Sequence, residues 1–155
     1  MIRWLCAVLA LSIATPTMAA QTVHRQIGQW LVMGTDGTCS ASTKLGDGTM
    51  LLIFAPPPTK ENAGGMMIAS PKGAEVAAGR AVVQLSGRGS VTGDHNAIGY
   101  AELKAYWLPF ADTGEIDRYP DSWQLTATKD GAVLADQPVS DFKVMVAALK
   151  VCATA

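Results

Sequence analysis

The stretch GQWLVMGTDGTCSASTK, residues 28–44, decides how this chain is predicted to fold. Strand-like runs flank its central Asp-Gly pair, which tolerates the positive φ angles of a type I′ turn. We therefore predict a β-hairpin with a two-residue loop, in which Gly34 lies opposite Cys39. Because side chains alternate between the faces of a strand, Cys39 shares the more apolar face with Trp30 and Val32. The hairpin thus places a cysteine against the core.

Two more Asp-Gly pairs, at 47–48 and 130–131, have strand-like flanks and predict further hairpins. The apolar run MLLIF (50–54) is typical of a strand covered on both sides. The glycine-rich stretch 87–99 predicts a loose hairpin or crossover, with Asp-His-Asn in a turn. For YAELKAYW (100–107) we favour a strand over a short helix, since no clear N-cap precedes it.

The end of the chain, SDFKVMVAALKVC, predicts a helix. Ser140 is a suitable N-cap, and Asp141 places a negative charge at the positive end of the helix dipole. Apolar side chains then follow at steps of three and four, which predicts one buried stripe. The stripe consists of Phe142, Met145, Val146, Leu149 and Cys152.

The first residues are predicted to be an export leader, residues 1–19. Arg3 precedes a short apolar run, Pro16 breaks that run, and Thr17 and Ala19 are small residues at the −3 and −1 positions. The run is shorter than the roughly 20 residues that a membrane helix needs, and we predict no transmembrane segment in the mature chain. Cys6 is predicted to leave with the leader. The protein is expected to be periplasmic or secreted.

Residues 20–155 are then long enough for one domain with a sizeable core. The chain has 12 basic and 13 acidic side chains without a basic patch, so nucleic acid binding is not expected. We predict a mainly β (α+β) domain of about seven to nine strands, an antiparallel β-sandwich or partly closed barrel. The C-terminal helix is expected to pack on it.

Two cysteines remain after removal of the leader, Cys39 and Cys152. An even pair in an exported protein predicts a disulfide. Both lie on predicted core faces, so their bond would join the last element of the mature chain to its first hairpin. A redox pair of the CxxC kind has the cysteines close in sequence, and zinc needs about four ligands. We therefore predict a structural disulfide, no metal and no cofactor.

Other candidate sites are weaker. His95 follows Asp94 and is the best residue for a small hydrolase, although no G-x-S-x-G or H-E-x-x-H motif accompanies it. The acidic segment from Asp112 to Asp121 is predicted to be a solvated connection with one helical turn, and a cation-binding loop is the alternative interpretation. We assign no catalytic residues.

Aromatic side chains cluster in one further segment, at Tyr106, Trp107 and Phe110. A core position is one interpretation of these three residues. The alternative is an exposed aromatic patch that contacts a ligand or a partner.

Three stretches carry a family resemblance. IGQWLVMGTDGTCSAS, GGMMIASPKGAEVAAGRAVVQLSG and QPVSDFKVMVAALKVC resemble the opening, centre and end of small exported proteobacterial domains of the invasion-associated locus B type. The resemblance implies a periplasmic or envelope-associated β-rich domain without a known active site. The chain departs from it in its cysteines, because the family pattern implies a local pair near the first hairpin.

The sequence thus favours an exported, non-catalytic protein that binds an unidentified partner or envelope ligand. One alternative is a small periplasmic hydrolase that uses His95. Another is a periplasmic inhibitor or chaperone-like module that uses the loop APPPTKENAGG, residues 55–65.

Overall fold

The computed structural model describes residues 22–35, 38–55, 64–70, 75–87 and 92–154. In this part of the chain ten strands form one antiparallel sheet, which is not closed. The strands are β1 (Thr22–Ile27), β2 (Trp30–Thr35), β3 (Thr38–Lys44), β4 (Met50–Ala55), β5 (Gly65–Ala69), β6 (Gly79–Ser86), β7 (Gly93–Tyr100), β8 (Ala105–Pro109), β9 (Trp123–Lys129) and β10 (Ala132–Val139). Two α-helices, α1 (Glu115–Arg118) and α2 (Phe142–Thr154), and a 3₁₀ turn at Ala101–Leu103 complete the described elements. The mainly β prediction with a C-terminal helix is confirmed, with more strands than predicted.

The strand order is β1-β2-β3-β4-β5-β8-β7-β6-β9-β10. The first five strands pair in chain order, each with the next. The chain then crosses to β6 and returns through β7 to β8, which pairs with β5. Because β8 pairs with β5, it joins the strands β1 to β5 to the strands β6 and β7 in one sheet.

The predicted register of the first hairpin is confirmed. Gly34 pairs with Cys39 and Val32 with Ala41, although the two loop residues themselves (36–37) lie outside the described part of the chain. At the tip of β9 and β10, Asp130 and Gly131 have φ angles of 50° and 79°, so both adopt the left-handed conformation of a type I′ turn.

The turn prediction for the glycine-rich stretch 87–99 is wrong at its end. Residues 93–99, which contain His95, lie in β7, paired along their length with β6. The strand prediction for 100–107 holds only in part, because Ala101–Leu103 form a 3₁₀ turn that ends at Lys104 with a φ of 48°. One helical turn does interrupt the acidic segment, at α1.

Helix α2 packs on the inner face of β1 to β4. Its predicted apolar stripe is buried throughout. The prediction that Ser140 caps this helix is wrong, because the cap comes from a different segment. Asp121 accepts hydrogen bonds from the N–H of Phe142 through its backbone carbonyl and from the N–H of Lys143 through Oδ1, both at 3.0 Å. The acidic connection therefore anchors the start of the helix.

The predicted disulfide between Cys39 and Cys152 is present, with the two Cα atoms 6.1 Å apart and 113 positions separating them in the chain. Cys39 lies on β3 and Cys152 in the last turn of α2. Gly34, opposite Cys39, leaves room for the bond: a Cβ at this position would lie 2.8 Å from the Cys152 sulfur. The hairpin therefore supplies both the thiol and the space above it.

An aromatic cluster joins the two ends of the sheet. Phe142 lies at its centre, with ring centroids 5.9 Å from Trp30, 5.7 Å from Trp123 and 5.4 Å from Tyr119. The indole N–H of Trp30 donates to the Ser140 carbonyl at 2.8 Å. Because Trp30 begins β2 and Ser140 follows β10, the sheet bends until its two ends share one core.

We predict that replacing both Cys39 and Cys152 with serine lowers the free energy of unfolding by about 2–5 kcal/mol, since the unfolded chain then loses a long-range constraint. Urea unfolding of the variant and of the oxidised wild type measures the difference. The wild type treated with reductant should match the variant. Equal stability of oxidised and reduced protein would contradict a structural role.

We predict that Asp121→Ala costs about 1 kcal/mol of stability, because it removes a carboxylate that caps α2. Asp121→Asn should retain most of the stability, since its amide oxygen still accepts a hydrogen bond. Ser140→Ala is the matched control and should have little effect in thermal or urea unfolding. A larger loss of stability in Ser140→Ala than in Asp121→Ala would show that Ser140 caps α2 and would contradict the role of Asp121.

Candidate functional site

The three aromatic residues singled out in the sequence separate in the structure. Tyr106 and Phe110 are 2% and 7% exposed and belong to the core, so these two rings do not form an exposed patch. Trp107 lies between them on β8 and points to the opposite face, where it is half-buried. Strand alternation therefore leaves one of the three on the outer face of the sheet.

Trp107 is held in place by its neighbours. Its ring covers Gly65 of β5, where an added Cβ would lie 2.4 Å from Cζ2 of the indole. The ring of Phe54 meets it edge to face, with centroids 5.5 Å apart. A glycine on the neighbouring strand thus allows the indole to lie flat against the sheet, which fixes its orientation.

Trp107 also lies in the middle of a cross-strand row. The pairs are Leu52 with Met67, Met67 with Trp107, Trp107 with Ile98, and Ile98 with Arg80. Directly paired residues of antiparallel strands lie on the same face, so these five side chains are neighbours on the outer face. We call this set the outer row. It crosses five strands, and the four spacings between them, about 4.8 Å each, give a length of about 19 Å.

The part of the outer row that lies on β7 is open to solvent. Ile98 is 40% exposed, and Tyr100, two positions along the same strand and hence on the same face, is 42% exposed. Val82 of β6 pairs with Asn96 and adds another exposed apolar side chain to this face. Helix α2 packs on the opposite face, against β1 to β4. The outer row thus gives the sheet an apolar surface that the helix does not cover.

A shallow cavity adjoins this open end. The pairing of β7 with β8 stops at Ile98 and Trp107, and Pro109, which has no N–H to donate, lies where the ladder would continue. The separation of the strands leaves a cavity of about 340 Å³. It is lined by Arg80, Ala81, Asn96, Ala97, Ile98 and Pro109. Apolar surface and polar side chains therefore meet at this point of the outer row.

The carboxylates of the acidic segment have structural partners. Asp112 accepts from the Arg118 guanidinium and from the N–H of Gly114, and these hydrogen bonds lower the pKa of its carboxyl group. Asp117 pairs with Lys150 of α2 at 2.6 Å. Across the described ranges, no group of three His, Cys, Asp or Glu side chains is placed to hold a metal ion. The segment contains α1, links β8 to β9, and is joined to α2 through Asp117 and Asp121.

One acidic group and one phenol are buried below this segment. Glu115 is 5% exposed and accepts from the N–H of Ala111 at 2.6 Å. Tyr119 is almost fully buried, and its hydroxyl makes no hydrogen bond with any described residue. Burial raises the pKa of Tyr119, and the negative charge of Glu115 raises it further. The neutral phenol is the form that this core accepts.

His95 lies in β7, half-buried, and pairs with Val83 of β6. Among the hydrogen bonds of the described residues, none joins His95 to a serine or an acidic side chain. The loop proposed for an inhibitor or chaperone-like module lies almost entirely outside the described residues, which stop at 55 and resume at 64.

In the described part of the chain, no helix is both long enough and apolar enough to cross a membrane.

We predict that Tyr119→Phe leaves stability at pH 7 unchanged or raises it by up to about 1 kcal/mol, because the buried hydroxyl has no described partner. The raised pKa of Tyr119 contributes stability that is fully present below the unfolded value of about 10 and is lost as the pH rises above it. Urea unfolding at pH 7 and pH 11 should show a smaller alkaline loss in Tyr119→Phe. Tyr100→Phe, at an exposed position, should keep the loss of the wild type, and an unchanged loss in Tyr119→Phe would contradict the assignment.

The outer row was not found from the sequence, because it becomes continuous only when β5 pairs with β8 and β8 with β7. Residues 52, 67, 98 and 107 are scattered along the chain, and the strand order joins them. Comparison of the chain with protein-family models, with curated proteins and with solved structures finds no match. The resemblance to the invasion-associated locus B type therefore stays a prediction.

Proposed function

We propose that this protein is an exported, non-catalytic binding protein whose ligand or partner contacts the outer row. The observation that carries the proposal is the run of paired apolar side chains from Leu52 to Ile98, ending in exposed apolar surface at Ile98 and Tyr100. Exposed apolar surface of this kind is typical of interaction sites. The hydrolase alternative has less support, since His95 has no catalytic partner among the described residues.

The chemistry of the outer row suits an apolar contact. Met67 is flexible and adapts to the shape of a ligand, whereas Trp107 offers a large ring held in one orientation. Met33 and Met50 are two further half-buried methionines on the same face. A face with both rigid and adaptable side chains binds apolar groups without requiring one exact shape.

Export is supported by the leader features of residues 1–19 and by the disulfide. Disulfides persist in oxidising compartments, and the bond between Cys39 and Cys152 is buried in the core. The leader itself lies outside the described residues.

We predict that the neutral dye N-phenyl-1-naphthylamine binds the protein and that a double variant, Ile98→Ser with Tyr100→Ser, weakens this binding about tenfold. Loss of two apolar contacts worth about 1.4 kcal/mol together gives this ratio. Fluorescence titration of the dye provides the measurement. The matched control is Val133→Ser with Val144→Ser, two valines that are at least as exposed and lie on β10 and α2. No dye binding by the wild type, or an equal loss in the control, would contradict the proposed site.

We predict that the protein is processed after Ala19 when it is produced in a Gram-negative bacterium. Amino-terminal sequencing of the periplasmic fraction should begin at Ala20. Ala19→Tyr places a large residue at the −1 position and should leave the leader attached. An unprocessed chain starting at Met1 in the cytoplasmic fraction would argue against export.

A further inference from the structure

We propose that the occupant of the outer row is a single-chain anionic amphiphile, an alkyl carboxylate, with its headgroup at Arg80 and Asn96. This inference rests on the proposed function, because it assumes that the outer row is the binding face. It adds the chemical class of the ligand and the direction in which the ligand lies.

Arg80 gives the site its charge preference. It terminates the outer row beside Ile98, is exposed, and takes part in none of the ion pairs formed by the described residues. A guanidinium presents two parallel N–H groups that match the two oxygens of a carboxylate. The side-chain amide of Asn96 lines the same cavity and can donate to the same headgroup. The cavity volume, about 340 Å³, suits a small headgroup and the first part of a chain.

The apolar part of the outer row has the length of one alkyl chain. From Ile98 to Leu52 the apolar part crosses three strand spacings, about 14 Å. Two opposed acyl chains span a bilayer core of about 30 Å, so one chain covers about 15 Å. A chain anchored at Arg80 can therefore run over Ile98, Trp107 and Met67 and end near Leu52. Each methylene that leaves water on this path adds to the affinity.

The charges on the outer face favour a ligand with one carboxylate over an anionic membrane surface. The neighbouring row on this face runs from Lys44 through Met50 and ends at Tyr100, so its cation lies at the opposite end from Arg80. Binding to anionic membranes uses clusters of about four to eight cations. Asp94 lies four residues from Ile98 on the same face, about 13 Å along β7, and would repel a more extended anion. A single headgroup beside Arg80 avoids this charge.

The test is an isothermal titration of the purified protein with dodecanoate and with 1-dodecanol, both kept below their aggregation limits. Dodecanoate should bind more tightly than dodecanol. Arg80→Gln should weaken dodecanoate about tenfold and leave dodecanol unchanged, because it removes a charge-assisted contact and little apolar area. Arg25→Gln, at an exposed arginine of β1, is the matched control and should change neither. Ile98→Ser should weaken both ligands.

Equal binding of dodecanoate and dodecanol would overturn the inference and leave the proposed apolar face intact. Equal losses in Arg80→Gln and Arg25→Gln would also overturn it, since the charge effect would then be general. Absence of binding for both ligands together with absence of dye binding would overturn the proposed function as well. Sedimentation with phosphatidylglycerol vesicles, without binding of monomeric dodecanoate, would assign the face to a membrane surface and overturn the inference.

Discussion

The docking of helix α2 against the inner face of the first hairpins is the constraint on which the rest of the structure depends. The disulfide between Cys39 and Cys152 holds the end of this helix, and Asp121 caps its beginning. The helix follows β10 directly, so fixing it on β1 to β4 forces the last strand of the sheet to approach the first ones. The aromatic cluster around Phe142 fills the space where they meet. An open sheet thereby encloses a core without closing its hydrogen-bonding edges.

This arrangement determines which surface is available for binding. The inner face is occupied by the helix, the disulfide and the aromatic cluster, so apolar residues there have no access to a ligand. Among the described residues, helix α2 leaves the outer face uncovered, and its side chains pack against their strand neighbours. Trp107 shows the consequence, since it is half-buried by Phe54 and by its position over Gly65 and is still part of an open surface. The proposed binding face is therefore the side of the sheet that faces away from the core and from α2.

The polar residues that suggested chemistry in the sequence have mainly structural roles. Asp112 orders the turn before α1, Asp117 joins α1 to Lys150, and Asp121 caps α2. Asp112 and Asp121 accept hydrogen bonds from backbone N–H groups in the loops and at the helix start, where strands supply no partner. The acidic segment thus contributes to the attachment of α2, which in turn maintains the bend of the sheet.

The sequence by itself determined the local elements and their faces. The first Asp-Gly turn with its alternating flanks specifies the register of β2 and β3, and steps of three and four specify the buried stripe of α2, because these signals depend only on neighbours in the chain. The cysteine pair was predictable for the same reason, since each thiol lies on a face that local pattern makes apolar. Only the tertiary structure decided the strand order, the capping of α2 by Asp121 and the continuity of the outer row from Leu52 to Arg80. Those features join residues far apart in the chain, and no local periodicity encodes which strands become neighbours.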